Sequence, residues 1–251
     1  MVNSALYNKL FKGGKPHSGH AFYNLMGGQR GGQRGGGSSF LTLLNSKKEF
    51  LIMVFANLIA QLGITYYFMT NYKSEASGAG AGAGLYWGLF VVEILIIFAL
   101  ALIPMPSWLK FILFSVFSAC WGVMLSFMKK SVDPNIIQMA IVGTMSIFGV
   151  MFLFGAALIM FGVNLGLQFA AFLFYALLLL IIFQIVTLFS GGKMRWIYIL
   201  SLVLFSLYII YDTNNILQRE YYGDFITASL DYYLDVLNIF IDLVGMFGSN
   251  N

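Results

Sequence analysis

The sequence predicts an all-α, polytopic membrane protein, and three observations carry that reading. Of its 251 residues, 59% are hydrophobic and only 10% are charged, a balance foreign to soluble globules. The apolar residues gather into runs of about twenty, the length a helix needs to cross a hydrocarbon core of about 30 Å. Seven such runs occur, near 50–70, 84–103, 108–128, 135–156, 165–189, 195–217 and 225–248, with polar or Gly/Pro-rich turns between them.

Each element has its own justification. Residues 1–45 read as a disordered, Gly/Arg-rich cytoplasmic arm ahead of a seven-helix transmembrane domain over 46–251. The repeat Gly27-Gly28-Gln29-Arg30 and Gly31-Gly32-Gln33-Arg34 has nothing to bury. Its two arginines lack interleaved aromatics, so a flexible tail is favoured over an RNA contact or a lipid anchor, and no nucleic-acid partner is expected. No apolar h-region of a cleavable signal precedes the first span, which then acts as its own targeting signal. Asn71 to Gly84 forms a polar hairpin loop, Pro104 and Pro106 mark the turn after the second span, and Lys129 to Asn135 the turn after the third. Between the fourth and fifth spans the turn signals are Gly162, Asn164 and Gly166, and Gly191 to Arg195 separates the fifth from the sixth. The N-terminal flank of the first span is the most basic, which sets the N-terminus inside and the C-terminus outside. A lone cysteine, Cys120, excludes a disulfide framework.

The last run carries chemistry that a bilayer disfavours. At about 100° per residue, Thr227, Asp231, Asp235, Asn238 and Asp242 fall in one stripe about 80° wide on an otherwise apolar helix. On the sixth run Ser201, Tyr208, Asp212, Asn215 and Arg219 fall within about 60° of one another. If these two spans form an antiparallel hairpin, Asp212 and Asp235 lie in the same half of the membrane and face each other. Glu93 is a third unexpected carboxyl, in the middle of the second run. Intramembrane acids face protein or a watery cavity and mark ion or proton paths. Two carboxyls close together in a dry site cannot both ionise cheaply, so one proton is shared. Its loss drives the groups apart or leaves oxygen ligands for a hard cation.

The segment Ser206-Leu207-Tyr208-Ile209-Ile210-Tyr211-Asp212-Thr213-Asn214-Asn215-Ile216 resembles the signature of the transmembrane Bax inhibitor motif family. So does Ala228-Ser229-Leu230-Asp231-Tyr232-Tyr233-Leu234-Asp235-Val236-Leu237-Asn238-Ile239-Phe240, and the resemblance is specific over roughly residues 195–247. It implies a seven-helix bundle with the last helix central, and a pH-sensitive calcium leak in which Asp212 and Asp235 are the sensing and ion-binding pair. The carboxyl pair would then be the calcium ligand, with calcium as permeant ion and no other cofactor. Asp231, Asn238 and Asp242 are expected to line the path, supported by Glu93, Tyr208 and Asn215. Eukaryotic relatives suppress cell death from internal membranes, whereas prokaryotic ones sit in the plasma membrane. One departure is visible. Basic residues that family members carry at the end of the second helix are replaced by Ala101-Leu102-Ile103-Pro104-Met105-Pro106, leaving Lys110 or Arg219 as substitutes for that latch.

Other readings fit less well. An intramembrane aspartyl protease would pair Tyr211-Asp212 with Gly223-Asp224, but Asp224 falls in the polar connection 218–224. Serine-protease and zinc chemistry both need histidines in the membrane, and the two present, His17 and His20, lie in the arm. The residues therefore predict no enzyme. The rival to a cation leak is a non-conducting membrane adaptor that modulates stress response, cell death or membrane proteases through protein partners.

Overall fold

The structure is a computed structural model that describes residues 36–73, 79–190, 195–218, 221 and 223–248. Most of the expected arm lies outside these residues. Seven α-helices follow in order: α1 (Gly36–Asn71), α2 (Ala79–Leu102), α3 (Ser107–Lys129), α4 (Pro134–Met160), α5 (Leu167–Ser190), α6 (Arg195–Gln218) and α7 (Phe225–Gly248). The expected spans and their order match this series. The largest difference is at the start, where α1 begins at Gly36, inside the stretch expected to be arm. The short apolar run Phe40, Leu41, Leu43 and Leu44 lets the helix propagate outward once the span behind it is nucleated.

The helix ends follow local chemistry. Asp133 caps α4 by accepting a hydrogen bond from the Asn135 N–H at 2.7 Å, with Pro134 in the first turn where its missing N–H costs nothing. Gly162 ends α4 at φ +76°, a left-handed conformation that glycine adopts freely, and the Val163 N–H turns back to the Leu158 carbonyl at 2.8 Å. Gly223, at φ +79°, turns the chain into α7. Asp224 then caps α7, accepting from the Thr227 N–H at 3.1 Å and the Thr227 hydroxyl at 2.8 Å.

Six helices are long and apolar enough to cross a membrane by length and composition. The seventh, α7, is as long as α6 at 24 residues but carries Asp231, Asp235 and Asp242. Its neighbours resolve the conflict: α7 packs against α1, α3, α4 and α6, while α2 rests on α3 and α5 on α6. Around α7 the residues Ile226, Ala228, Tyr232, Tyr233, Leu237, Ile239 and Val244 are all buried. By contrast α2 and α5 turn Val91, Leu95, Phe98, Phe174, Leu179 and Ile185 outward. The lipid-facing shell is apolar and the polar groups are inside, the order a bilayer imposes.

Small residues let the inner helices approach closely. A Cβ on Gly122 would come within 2.5 Å of the Thr65 carbonyl oxygen, joining α3 to α1. A Cβ on Gly155 would lie 2.7 Å from the Ile210 carbonyl oxygen and 2.8 Å from the Thr213 Cβ, joining α4 to α6. Aromatic rings fill the remaining space. Tyr232 stacks on Phe55 at 6.1 Å and meets Phe148 edge-on at 5.2 Å, and Tyr233 meets Phe114 edge-on at 5.1 Å.

These contacts set a stability test. Gly155→Ala is expected to cost about 1–3 kcal/mol by overpacking, seen as a lower thermal midpoint of the purified protein. Gly149→Ala, where nothing lies within 4 Å of the added Cβ, is expected to leave the midpoint unchanged or raise it.

Candidate functional site

The polar stripes of α6 and α7 meet as an antiparallel seam. Its register is fixed by Tyr232, whose hydroxyl donates to Thr213 Oγ1 at 2.9 Å, while the Thr213 hydroxyl turns back to the Ile209 carbonyl at 2.7 Å. One residue before Thr213 and three after Tyr232, the carboxyls of Asp212 and Asp235 come together across the seam. Two carboxyls this close in a poorly solvated place cannot both ionise cheaply. Asp235 is only 4% exposed, and its Oδ2 finds no donor among the described residues. Asp212 is half-buried.

The flanking groups belong to the same seam. Asp231 lies one turn before Asp235 and faces Asp212, and the Tyr221 hydroxyl donates to its Oδ2 at 3.4 Å. Tyr208 stands beside both members of the pair. Asn215 is buried with its Oδ1 unpartnered. Asn238 spends its amide on the Leu234 carbonyl at 2.7 Å and is half-buried. Asp242, 4% exposed, lies further along α7, where its carboxyl stands beside Ser201 of α6.

Glu93 is placed differently from the pair. It is buried, and its neighbours are Tyr86, Cys120 and Tyr233. Tyr233 and Asp235 are two residues apart on α7, about 200° around the helix, so Glu93 and the aspartate pair address different faces of α7. Glu93 instead adjoins a second polar network between α1, α3 and α7. There the Gln61 amide donates to Asn57 at 3.3 Å and Ser115 at 3.2 Å, and the Ser118 hydroxyl donates to Gln61 at 2.9 Å. Asn57 reaches Ser229, and the hydroxyls of Thr65 and Tyr233 bond at 2.6 Å.

The substitute latch through Lys110 does not form, because its ammonium is taken by Asp224 and, at 3.4 Å, by the Thr227 hydroxyl. Arg219 lies outside the described residues. Asp224 itself caps α7 and pairs with Lys110. Among the described residues no three or more His, Cys, Asp or Glu side chains gather as a metal cluster. Two cavities, of about 230 and 270 Å³, are lined by Met69, Tyr72, Lys129 and Lys130 and by Tyr86, Trp121 and Phe127, away from the pair.

Two site residues carry roles that patterning does not reveal. Asn214 accepts from the Leu165 N–H at 2.9 Å and donates to the Val163 carbonyl at 3.1 Å, tying α6 to the α4–α5 turn. Gln218 supports it with a bond of 2.8 Å. Thr213 holds Tyr232 in register. Both lie in the segment beside Asp212 where sequence attention had fallen on the carboxylate.

Fold and seam together define an integral, multi-pass membrane protein whose enclosed helix carries paired carboxyls in a dry interior. Family comparison narrows the class. Residues 45–251 match the family described as inhibitor of apoptosis-promoting Bax1, and the chain belongs to that family. An uncharacterised protein of Helicobacter pylori is 28% identical over 219 residues, covering 81% of this chain and 93% of the relative. The Arabidopsis thaliana protein LIFEGUARD 1 is 25% identical over 234 residues, covering 86% and 97%. LIFEGUARD 4 of the same plant is 27% identical over 239 residues, covering 88% and 92%.

Removing the Asn214 amide tests the turn tether. Asn214→Ala is expected to cost about 1–3 kcal/mol through the buried partners it strands. Hydrogen exchange should rise at Val163 to Leu165 more than in the middle of α4.

Proposed function

We propose that the protein is a cation leak, with calcium the physiological ion, whose conductance follows proton occupancy of Asp212 and Asp235. The observation that supports this reading is the close approach of the Asp212 and Asp235 carboxyls between α6 and α7. Two carboxyls that close hold their helices together only while they share a proton. Deprotonation puts like charges side by side in a poorly solvated place, which favours separation or capture of a cation. Asp231, Asn238 and Asp242 line the seam that opens, with Tyr208 and Asn215 beside it. Glu93 stands on α2, which rests on α3, on the side of Tyr233 and away from the pair. The protein acts by conduction rather than by catalysis, with calcium and protons as its small partners and no resident cofactor. The host membrane is the plasma membrane in a bacterium or an internal membrane in a eukaryote.

A second reading is a non-conducting adaptor that modulates stress response or cell death by binding membrane partners. It is favoured by the direct packing of Asp212 on Asp235, which leaves the cavities elsewhere.

Calcium flux into liposomes containing only this protein separates the two. The leak reading expects flux that changes about tenfold or more between mildly acidic and mildly alkaline pH, the scale of a one-unit titration. Asp212→Asn and Asp235→Asn should each reduce that pH response to less than about twofold, since an amide cannot exchange the shared proton. Absence of flux across the whole range, from protein that is folded by circular dichroism, would establish the adaptor instead.

A further inference from the structure

We propose that Asp242, Ser201 and Thr144 form a second oxygen-lined site for a hard cation, on the far half of the seam from Asp212 and Asp235. Its role in transit rests on the leak reading, but its existence as a binding site does not.

The first observation is a pair of stranded oxygens. Asp242 is 4% exposed and its Oδ2 has no partner among the described residues; Thr144 is 4% exposed and its Oγ1 has none among them either. The idle Thr144 hydroxyl is out of character for this chain. Hydroxyls on its helices habitually bond the carbonyl one turn back, as Thr65 does at 3.1 Å, Ser146 at 2.8 Å, Ser206 at 2.7 Å and Thr213 at 2.7 Å. Such a bond was within reach for Thr144 and is not made. A buried hydroxyl without a partner is costly, so its rotamer suits something that the described residues do not supply.

The second observation is register. Gly155 of α4 packs on Ile210 and Thr213 of α6. Eleven residues is about three turns, returning to within about 20° of the same face. Stepping back by eleven from Gly155 reaches Thr144. The same step on α6, which runs parallel to α4, reaches residues near Ser201, itself 2% exposed. On α7 the level is set independently, because a Cβ on Gly143 would lie 2.9 Å from Leu243 Cδ1. Ser201 then stands beside the Asp242 carboxyl and closes the group from the α6 side. Three helices thus bring a carboxyl and two hydroxyls to one level, about 10 Å along α7 from Asp235.

The chemistry selects the ligand. All donors are oxygens, with no imidazole or thiol among them, which suits a hard cation. A single carboxylate binds such an ion weakly, with water or backbone carbonyls completing its shell. Weak binding at more than one station is what conduction needs, because an ion must enter each site and also leave it.

The test is calcium binding by the full-length protein in lipid nanodiscs, measured by equilibrium dialysis with radioactive calcium. The Asp212→Asn/Asp235→Asn double variant should keep saturable calcium binding, and adding Asp242→Asn should abolish it. In the double-variant background Thr144→Val, which preserves shape, should weaken the surviving binding at least fivefold without lowering the thermal midpoint. The proposal is overturned if the double variant binds no calcium, if binding survives Asp242→Asn, or if Thr144→Val changes only stability. The pH response of flux reports on the paired aspartates and residual calcium binding reports on this site, so either reading can fail alone.

Discussion

A carboxylic acid inside a bilayer must find its hydrogen-bond partners among protein groups, and in this bundle two acids find each other. The Asp212–Asp235 contact is the constraint from which the rest of the architecture follows. It requires α7 to be shielded from lipid, which needs four surrounding helices, and those in turn need glycines at their crossings. With a charged side chain costing about 2.5–3.5 kcal/mol at a helix centre, an unshielded α7 bearing three aspartates would be a poor membrane span. Enclosed, it becomes the element around which the others assemble.

Most of the fold was legible because the bilayer simplifies the problem. Span length is set by membrane thickness, and helix is the available structure for a single span, so seven apolar runs translate directly into α1 to α7. The turn between α4 and α5 was visible through Gly162, whose left-handed backbone is a local property of glycine. The start of α1 was less legible. The apolar run Phe40 to Leu44 ahead of Lys47 and Lys48 is too short to read as part of a span, since it lies where membrane thickness no longer dictates composition.

The candidate site was legible to the same depth and no further. Helical periodicity puts Asp231, Asp235 and Asp242 on one face, and the short connection between α6 and α7 puts Asp212 opposite. Periodicity cannot say which helix lies against a given face. Glu93 is therefore seen as an anomaly in the sequence, but its position beside Tyr233, across α7 from the pair, comes only from packing. The commitment of Lys110 to Asp224 was hidden for a similar reason, since the two are 114 residues apart in the chain. Asn214 was overlooked because an amide beside an aspartate reads as part of one motif, whereas its bonds run to a different turn.

Gly245 has a mechanical consequence. A Cβ there would come within 2.6 Å of the Tyr198 ring, and one on Gly143 would lie 2.9 Å from Leu243 Cδ1. Near its C-terminus α7 is thus gripped from two sides, and its first turns are held as well, by the Asp224 cap, the Lys110 ion pair and the buried Asn57–Ser229 bond. A rod fastened at both ends cannot swing as a whole, so a larger residue at Gly245 or Gly143 would have to displace Tyr198 or Leu243 instead.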